Sequence, residues 1–154
     1  MTFKTTISSL ILACLCMLAG PALFAQKKPI SIDWLTLATT VYETSEETQE
    51  GFTYQKPTFN DAILALEGKR VRLTGYMLPL TVDQDLYILS RYSFTECYFC
   101  NPNSGKASVI ELKLRKDGKR FPLDKTMRWE GTLTLSKDPF GLTFILEDAV
   151  VVKG

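Results

Sequence analysis

The sequence predicts a mainly β protein, a small five-stranded Greek-key barrel of the OB type with a short helix packed at one end. Three observations support this fold class. Five segments between residues 69 and 152 alternate apolar and polar side chains, as half-buried strands do. Turn-forming residues separate these segments. A glycine lies inside the first and the fourth segment, where a strand bends sharply as a sheet closes on itself.

The five predicted strands follow from this alternation. In the first, Val71, Leu73, Gly75 and Met77 share one face, and mainly basic or hydroxyl side chains occupy the other. Pro79 is expected to end central pairing in this strand, because proline donates no backbone hydrogen bond. The predicted strands cover residues 69–80, 86–92, 107–114, 127–136 and 142–152. The side chains expected to be buried together are Val71, Leu73, Ile110, Leu112, Trp129, Leu133 and Phe144.

An N-terminal helix is predicted over residues 30–43. Its apolar side chains recur at helical spacing from Trp34 to Val41, and Asp33 is suited to its first turn. The glutamate-rich stretch that follows has almost no apolar residue and is interpreted as a solvated linker.

A second, shorter helix is predicted over residues 58–67, at one end of the barrel. Thr58 or Asn60 caps its start, and Gly68 stands where a helix commonly ends in glycine. The apolar positions assigned to this helix are Ala62, Leu64 and Leu66. The chain therefore divides into an N-terminal helix and acidic linker, residues 26–56, and an OB-like barrel domain, residues 57–154.

Residues 1–25 have the features of a secretory signal peptide. Lys4 precedes an apolar run that is shorter than a bilayer-spanning helix, and small residues follow it. Cleavage near Ala25 predicts a periplasmic or secreted protein with no transmembrane segment left. Two alternatives remain open, a start-anchored membrane helix and a lipid anchor on Cys14.

Composition limits the possible functions of the exported chain. The full sequence has 18 basic and 17 acidic residues and no histidine. Loss of Lys4 with the signal leaves a chain of about zero net charge, which argues against a general nucleic-acid binder. The absence of histidine removes Ser-His and Cys-His nucleophile arrangements, so an enzyme is not the favoured interpretation.

Cys97 and Cys100, spaced C-x-x-C, are the candidate site once Cys14 and Cys16 have left with the signal. In an oxidising compartment the pair forms a local disulfide that stiffens a recognition loop. Two alternatives stay open. The pair is half of a zinc site, or a copper site assisted by Met77 or Met127. Alternatively it is a redox dithiol, although the turn residues after Cys100 do not start a helix. The recognition residues assigned to the loop are Tyr98, Phe99 and Asn101.

Three other groups are interpreted as structural. Glu147 and Asp148 are neighbours on a strand and are expected to point to opposite faces. The basic stretch from Lys113 to Arg120 is expected to be an exposed hairpin turn, with phosphate binding as the alternative. The remaining aromatic side chains, among them Tyr76, Tyr87 and Tyr92, are assigned mainly to core packing, with a stacking platform as the alternative.

The stretch from Gly68 to Pro79, a G-K-x-V-x-x-x-G-Y-x-x-P pattern followed by a cysteine motif, resembles a widespread family of exported bacterial proteins. That family is a domain of unknown function, and the resemblance covers roughly residues 57–152. Many of its members carry Cys-x-His where this chain has Cys97–Cys100, and that combination implies metal chemistry. The lack of histidine weakens the implication here.

The sequence thus favours a secreted or periplasmic binding or accessory module, whose Cys97–Cys100 loop binds an unknown envelope protein or small ligand. The alternatives are a zinc or copper carrier and an envelope thiol-disulfide oxidoreductase. No cofactor is required by the first interpretation.

Overall fold

The computed structural model describes residues 28–44, 53–81, 86–115 and 120–153. The predicted signal peptide, Cys14 and most of the glutamate-rich stretch lie outside these ranges. The strands are β1 (Ile30–Ser31), β2 (Val41–Thr44), β3 (Gln55–Thr58), β4 (Arg70–Thr81), β5 (Leu86–Ser90), β6 (Val109–Leu114), β7 (Thr126–Leu135) and β8 (Phe144–Val152). The helices are α1 (Trp34–Leu37) and α2 (Asp61–Leu64), and 3₁₀ turns cover Phe94–Glu96, Pro102–Ser104 and Lys106–Ser108.

Five strands close into a barrel, which confirms the predicted fold class. They are hydrogen-bonded in the order β4-β5-β6-β8-β7, and β7 pairs back onto β4. All of these pairings are antiparallel except β6 with β8, which is parallel. The chain crosses from β6 to β7 without pairing the two, as a Greek-key connection does. Outside the barrel, β1 adds to β4 in parallel and β2 pairs with β3.

The barrel interior is filled by the side chains that the alternation assigned to it. All seven residues expected to be buried together belong to one cluster and are at most 2% exposed. The cluster also includes Met77, Leu89 and Leu146. Alternate side chains of the five strands are buried, so one face of the sheet forms the core and the other face points outward.

Gly75 and Gly131 allow close approach at the points where the strands cross. A Cβ atom on Gly75 would lie 2.5 Å from the carbonyl oxygen of Ser90. A Cβ atom on Gly131 would lie 2.5 Å from Cγ of Leu146. These contacts are shorter than side chains tolerate, so both positions need glycine for space.

The prediction that Pro79 ends the central pairing of β4 was wrong. Pairing with β7 stops at Tyr76, whereas pairing with β5 continues through Pro79 to Thr81 with a register shift. The proline therefore lies beyond the β7 ladder, where its missing N–H costs no interstrand hydrogen bond.

The helix predicted over residues 30–43 is wrong outside one turn. Only Trp34–Leu37 is helical, and Asp33 caps it by accepting from the Thr36 N–H at 2.8 Å. The flanking residues instead form β1 and β2. Ile30 and Val41, both β-branched, suit a strand better than a helix, and pairing with β4 and β3 decides their conformation.

The second helix is shorter than predicted and buries a different side chain. Asn60 caps α2 by accepting from the Ile63 N–H at 3.0 Å. Ile63 is fully buried, whereas Ala62 and Leu64 are exposed, so the predicted apolar face was wrong there. Gly68 has a φ of 69°, as a glycine at the end of a helical turn does.

Candidate functional site

The outer face of β4, β5 and β6 carries a second apolar cluster. Leu78, Ile88 and Val109 point away from the barrel interior, and each is fully buried. The fourth buried member is Cys97, from the connection between β5 and β6. This connection, residues 91–108, is called the cysteine loop below. It folds back over the sheet and covers the outer surface of the strands that it joins.

The two cysteines lie in a single hydrogen-bonded turn of the cysteine loop. The Cys97 carbonyl accepts from the N–H groups of Cys100 at 3.0 Å and of Asn101 at 2.8 Å. Cys97 is fully buried and Cys100 is exposed. The turn therefore anchors one sulfur in the outer cluster and presents the other at the surface.

Both cysteines are free thiols in this structure and are in hydrogen-bonding contact with each other. The pKa of Cys100 is raised from its ordinary value, first by desolvation and then by the charge and hydrogen bond of Cys97. A raised pKa lowers the fraction of Cys100 present as thiolate, the form that reacts with disulfides and metals. The shift thus acts against the thiolate form of the sulfur that solvent reaches.

Asp124 ties the start of the cysteine loop to the barrel. Its carboxylate accepts from the Phe94 N–H at 2.8 Å, and its own N–H donates to the Met77 carbonyl at 2.8 Å. Asp124 has a φ of 61°, a left-handed conformation that aspartate tolerates better than most residues. Within the loop, the Ser104 hydroxyl donates to the Glu96 carbonyl at 2.6 Å.

The three predicted recognition residues have different environments. Tyr98 is half-buried against the outer cluster and meets the Phe99 ring edge-on, with ring centroids 5.7 Å apart. Phe99 is 44% exposed. Asn101 is exposed, but its side-chain oxygen accepts from the Asn103 N–H at 3.2 Å and so stabilises the next turn.

A cleft of about 230 Å³ adjoins the end of the cysteine loop. Thr40 and Tyr42 line one wall, and Arg91, Ser104 and Lys106 contribute to the other. Sequence reasoning missed this cleft. Its walls come from three distant stretches of chain, and the N-terminal stretch was predicted to be helical.

Tyr42, which lines this cleft, has a neutral hydroxyl. Its hydroxyl donates to Oγ1 of Thr143 at 3.1 Å. Burial raises the pKa of Tyr42 to about 12, and Tyr98 nearby adds to the rise, while the hydrogen bond to Thr143 acts in the opposite direction.

The prediction that Glu147 and Asp148 point to opposite faces was wrong. Glu147 pairs with Lys113 at 3.0 Å, and Asp148 pairs with Arg115 and, at 3.6 Å, with Arg70, all on the outside of the barrel. A β-bulge explains this arrangement. The register shifts there, and Asp148 has a φ of 52°. From the basic stretch, Lys113 and Arg115 form these ion pairs.

Neither methionine considered as a copper ligand lies on the cysteine side of the sheet. Met77 is fully buried in the barrel interior, and Met127 packs against the same interior cluster. Cys97 lies on the opposite face. In the described part of the chain no group of three or more His, Cys, Asp or Glu side chains is placed to hold a metal ion.

The aromatic residues considered for a stacking platform do not form one surface. Tyr87 is buried in the interior, where it meets Phe121 edge-on with centroids 5.9 Å apart. Tyr92 instead lies under the guanidinium of Arg91, 5.2 Å from its ring centroid. Core packing therefore accounts for Tyr87, as predicted.

The fold and the site define a class of protein, a small closed barrel with a cysteine pair in the connection between β5 and β6. This connection covers the outer face of the strands that it joins. No known protein-family model matches the chain, and no curated protein matches it. Among the described residues no helix has the length and apolar character needed to cross a bilayer.

A solved structure shares this fold. It is the crystal structure of a DUF3299 family protein from Pseudomonas aeruginosa PAO1, with a TM-score of 0.51 and 14% sequence identity. The match covers 82% of this chain and 98% of that chain. At this identity the likeness shows the fold alone. The neighbour belongs to a domain family without an assigned function, in keeping with the uncharacterised family that the sequence resembles.

Proposed function

We propose that the chain is an exported binding or accessory module whose recognition surface is the cysteine loop. One observation carries this proposal, the complete burial of Cys97 in the outer cluster. Barrels of the OB type usually bind ligands on the outer face of their second and third strands. Here that face, on β5 and β6, is covered by the loop. Recognition therefore moves to the loop itself, where Phe99 is the most exposed aromatic side chain of the cysteine turn.

A Cys97–Cys100 disulfide in the exported protein would fix the shape of this surface. A turn closed by a hydrogen bond between residues three apart brings their Cα atoms within about 7 Å, and disulfides span roughly 4.4–6.8 Å. Formation of the S–S bond passes two electrons and two protons to an incoming protein disulfide, which leaves as two thiols. By the chain-entropy relation a four-residue loop contributes about 2 kcal/mol.

The cysteine pair is better suited to a structural role than to thiol-disulfide exchange. Exchange requires an accessible thiolate. The accessible sulfur is on Cys100, whose pKa is raised, and the other sulfur is buried among apolar side chains. Because the thiolate of Cys100 is disfavoured and the Cys97 sulfur is out of reach of solvent, we expect the disulfide to exchange slowly.

Thiol titration of protein purified from the envelope, combined with metal analysis, tests the disulfide. We expect no free thiol in the denatured protein before reduction and two after it. Two free thiols together with about one zinc or copper per chain or per dimer would replace this proposal with a metal carrier. A disulfide that equilibrates rapidly with glutathione would instead support an oxidoreductase.

Site-specific photo-crosslinking tests the recognition surface. A photoreactive residue at Phe99 is expected to crosslink a discrete envelope component in cells. The matched control is Val151, which is 39% exposed on β8. Equal crosslinking from both positions, or none from Phe99, would exclude the loop as the recognition surface.

N-terminal sequencing of the mature protein tests export. The expected first residue is Gln26 or Lys27, without lipid. A chain that keeps residues 1–25, or one that carries a lipid on Cys14, would contradict the proposed export route.

A further inference from the structure

Among the described residues, the cleft beside the cysteine loop is lined by two cationic side chains and no acidic one. Arg91 and Lys106 line it together with Thr40 and Tyr42, and the remaining lining residues are small and uncharged. Neither cation forms an ion pair with a carboxylate among the described residues. Two positive charges without an ion-pair partner in a concave site create a local potential that favours a negatively charged ligand.

Most hydrogen-bond donors of the two cations have no acceptor among the described residues. The Lys106 ammonium has three donors and gives one to the Pro139 carbonyl at 3.2 Å. The Arg91 guanidinium has five donors. It lies over the face of the Tyr92 ring, and this contact is not a hydrogen bond to an oxygen acceptor. Asp33, whose pKa is lowered partly by the charge of Arg91, already accepts the N–H and the hydroxyl of Thr36 at 2.8 Å each.

A buried hydroxyl without a partner lies beneath one wall of the cleft. Thr40 is 7% exposed, and its Oγ1 has no hydrogen-bond partner in the described part of the chain. Buried hydroxyls are normally satisfied, because leaving one unpaired is unfavourable. The oxygen itself is enclosed by protein atoms, so it marks an unsatisfied polar group beneath the cleft wall that Thr40 helps to form.

The volume of the cleft limits the size of its ligand. At about 230 Å³ it lies below the roughly 300–1,000 Å³ of sites for drug-sized molecules. Tyr42 remains a neutral hydroxyl, so it adds no negative charge that would repel an anion. Guanidinium groups bind carboxylates and phosphates through paired hydrogen bonds.

We infer that this cleft binds a small oxyanion, a phosphate or a carboxylate group, between Arg91 and Lys106, with Thr40 at its inner wall. The inference goes beyond the proposed function and does not require the cysteine pair to be oxidised. Phosphate and carboxylate share the chemistry of a compact anion with several acceptor oxygens. Separate titrations distinguish them.

The test is an amide-resolved NMR titration of the purified protein with inorganic phosphate and, separately, with succinate, at ionic strength held constant with chloride. We expect saturable shifts confined to the amides of Gly105, Lys106 and Ala107 and to residues near Thr40. The anion with the lower dissociation constant identifies the ligand class. Shifts spread over all surface lysines and arginines, or none in the cleft, would overturn the inference.

Matched variants separate a built site from bulk charge. Arg91→Gln is expected to raise the dissociation constant about tenfold or more, since it removes a charge-assisted pair of hydrogen bonds. Arg120→Gln removes the same charge from an exposed position outside the cleft and is expected to change it less than about twofold, within the range of screened surface charges. Equal weakening by both variants would refute the site. If Arg91→Gln fails to give a folded spectrum, Lys106→Gln decides in its place, with Lys153→Gln as its control.

Discussion

Cys97 is the residue on which the site depends, because it belongs both to the cysteine pair and to the outer cluster. Cysteine in an apolar setting behaves as a small hydrophobic residue. Its burial between Leu78, Ile88 and Val109 therefore stabilises the loop even when no disulfide is present. Cys100 has no such role, since its side chain is exposed.

The two cysteines should therefore differ when replaced singly under reducing conditions. Cys97→Ser places a hydroxyl in an apolar cluster and is expected to lower the free energy of unfolding by about 1–3 kcal/mol. Cys100→Ser should change it by less than about 0.5 kcal/mol, as exposed substitutions do. Urea denaturation with excess reductant measures both. Equal effects of the two variants would show that Cys97 is not anchored in the cluster.

Thr40 is a second residue of interest, because its buried hydroxyl without a partner is unfavourable for stability. Replacing its unpaired hydroxyl by a methyl group in Thr40→Val is expected to raise the free energy of unfolding by about 1 kcal/mol. Thermal denaturation in anion-free buffer is the measurement. Thr36→Val is the comparison variant, since the Thr36 hydroxyl donates to Asp33 at 2.8 Å and its removal should destabilise the protein. A loss of stability in Thr40→Val would mean that the hydroxyl is satisfied.

At the scale of elements, the bulge in β8 organises the outer surface of the barrel. It turns Glu147 and Asp148 to the same side, while Leu146 and Ala149 both remain buried. Gly131, opposite the bulge, provides the space that this crossing needs. The ion pairs formed there are largely exposed, so each contributes little to stability.

Asp148 gives the protein a pH dependence that Asp148→Asn should reduce. The pKa of Asp148 is lowered from its ordinary value of 3.8, chiefly by the hydrogen bond from Arg115 and also by the charges of Arg115 and Arg70. A lowered carboxyl pKa stabilises the folded protein above the unfolded value, and this contribution disappears as the pH falls through the folded value.

Asparagine keeps the left-handed conformation and lacks the charge. We expect Asp148→Asn to lose less than about 1 kcal/mol at neutral pH, because the pair is exposed. The difference from the wild type should begin to shrink near pH 4 and disappear once the pH is below the folded pKa of Asp148. Denaturant titrations at pH 7 and at pH 2–3 measure this, and a difference that persists at the lower pH would assign the effect to the bulge geometry.

At the scale of the whole molecule, one interior cluster spans all five barrel strands, and α1 and α2 each add one side chain to it. Leu112→Ala, on β6, is expected to cost about 2–5 kcal/mol of unfolding free energy, as buried Leu→Ala substitutions do. Leu64→Ala, on the exposed side of α2, is the control and should cost less than about 1 kcal/mol. Chemical denaturation tests both. Similar losses from the two variants would contradict the assignment of faces.

The sequence predicted burial correctly where it depends only on the alternation of apolar and polar residues within one strand. Alternation was enough to place Leu73, Leu112 and Trp129 in the interior, because each strand is long and only one of its faces is apolar. It failed where distant pairing decides the structure. Ile30 is a strand residue only because Val71 is its neighbour. Asp148 faces outward only because a bulge displaces it, and no local pattern announces such a bulge.

The candidate site was predictable in its chemistry and not in its placement. The C-x-x-C spacing identified Cys97 and Cys100, but nothing in the sequence distinguished the buried sulfur from the exposed one. Arg91 and Lys106 meet Thr40 only because the cysteine loop returns across β5 and packs near α1. Three stretches separated by tens of residues cannot be joined by a sequence pattern alone.

The position of β8 in the barrel has a consequence for the order of folding. This strand is the hydrogen-bonded neighbour of both β6 and β7, so two of the five pairings that close the sheet are absent until residues 144–152 arrive. Before that moment β6 and β7 are open edges, which pair readily with other chains. Because such long-range pairings form slowly, the barrel stays open until β8 inserts. The polypeptide remains prone to aggregation during that time. A chaperone that shields those two edges would act on this protein before β8 is in place and would lose its binding surface when the barrel closes.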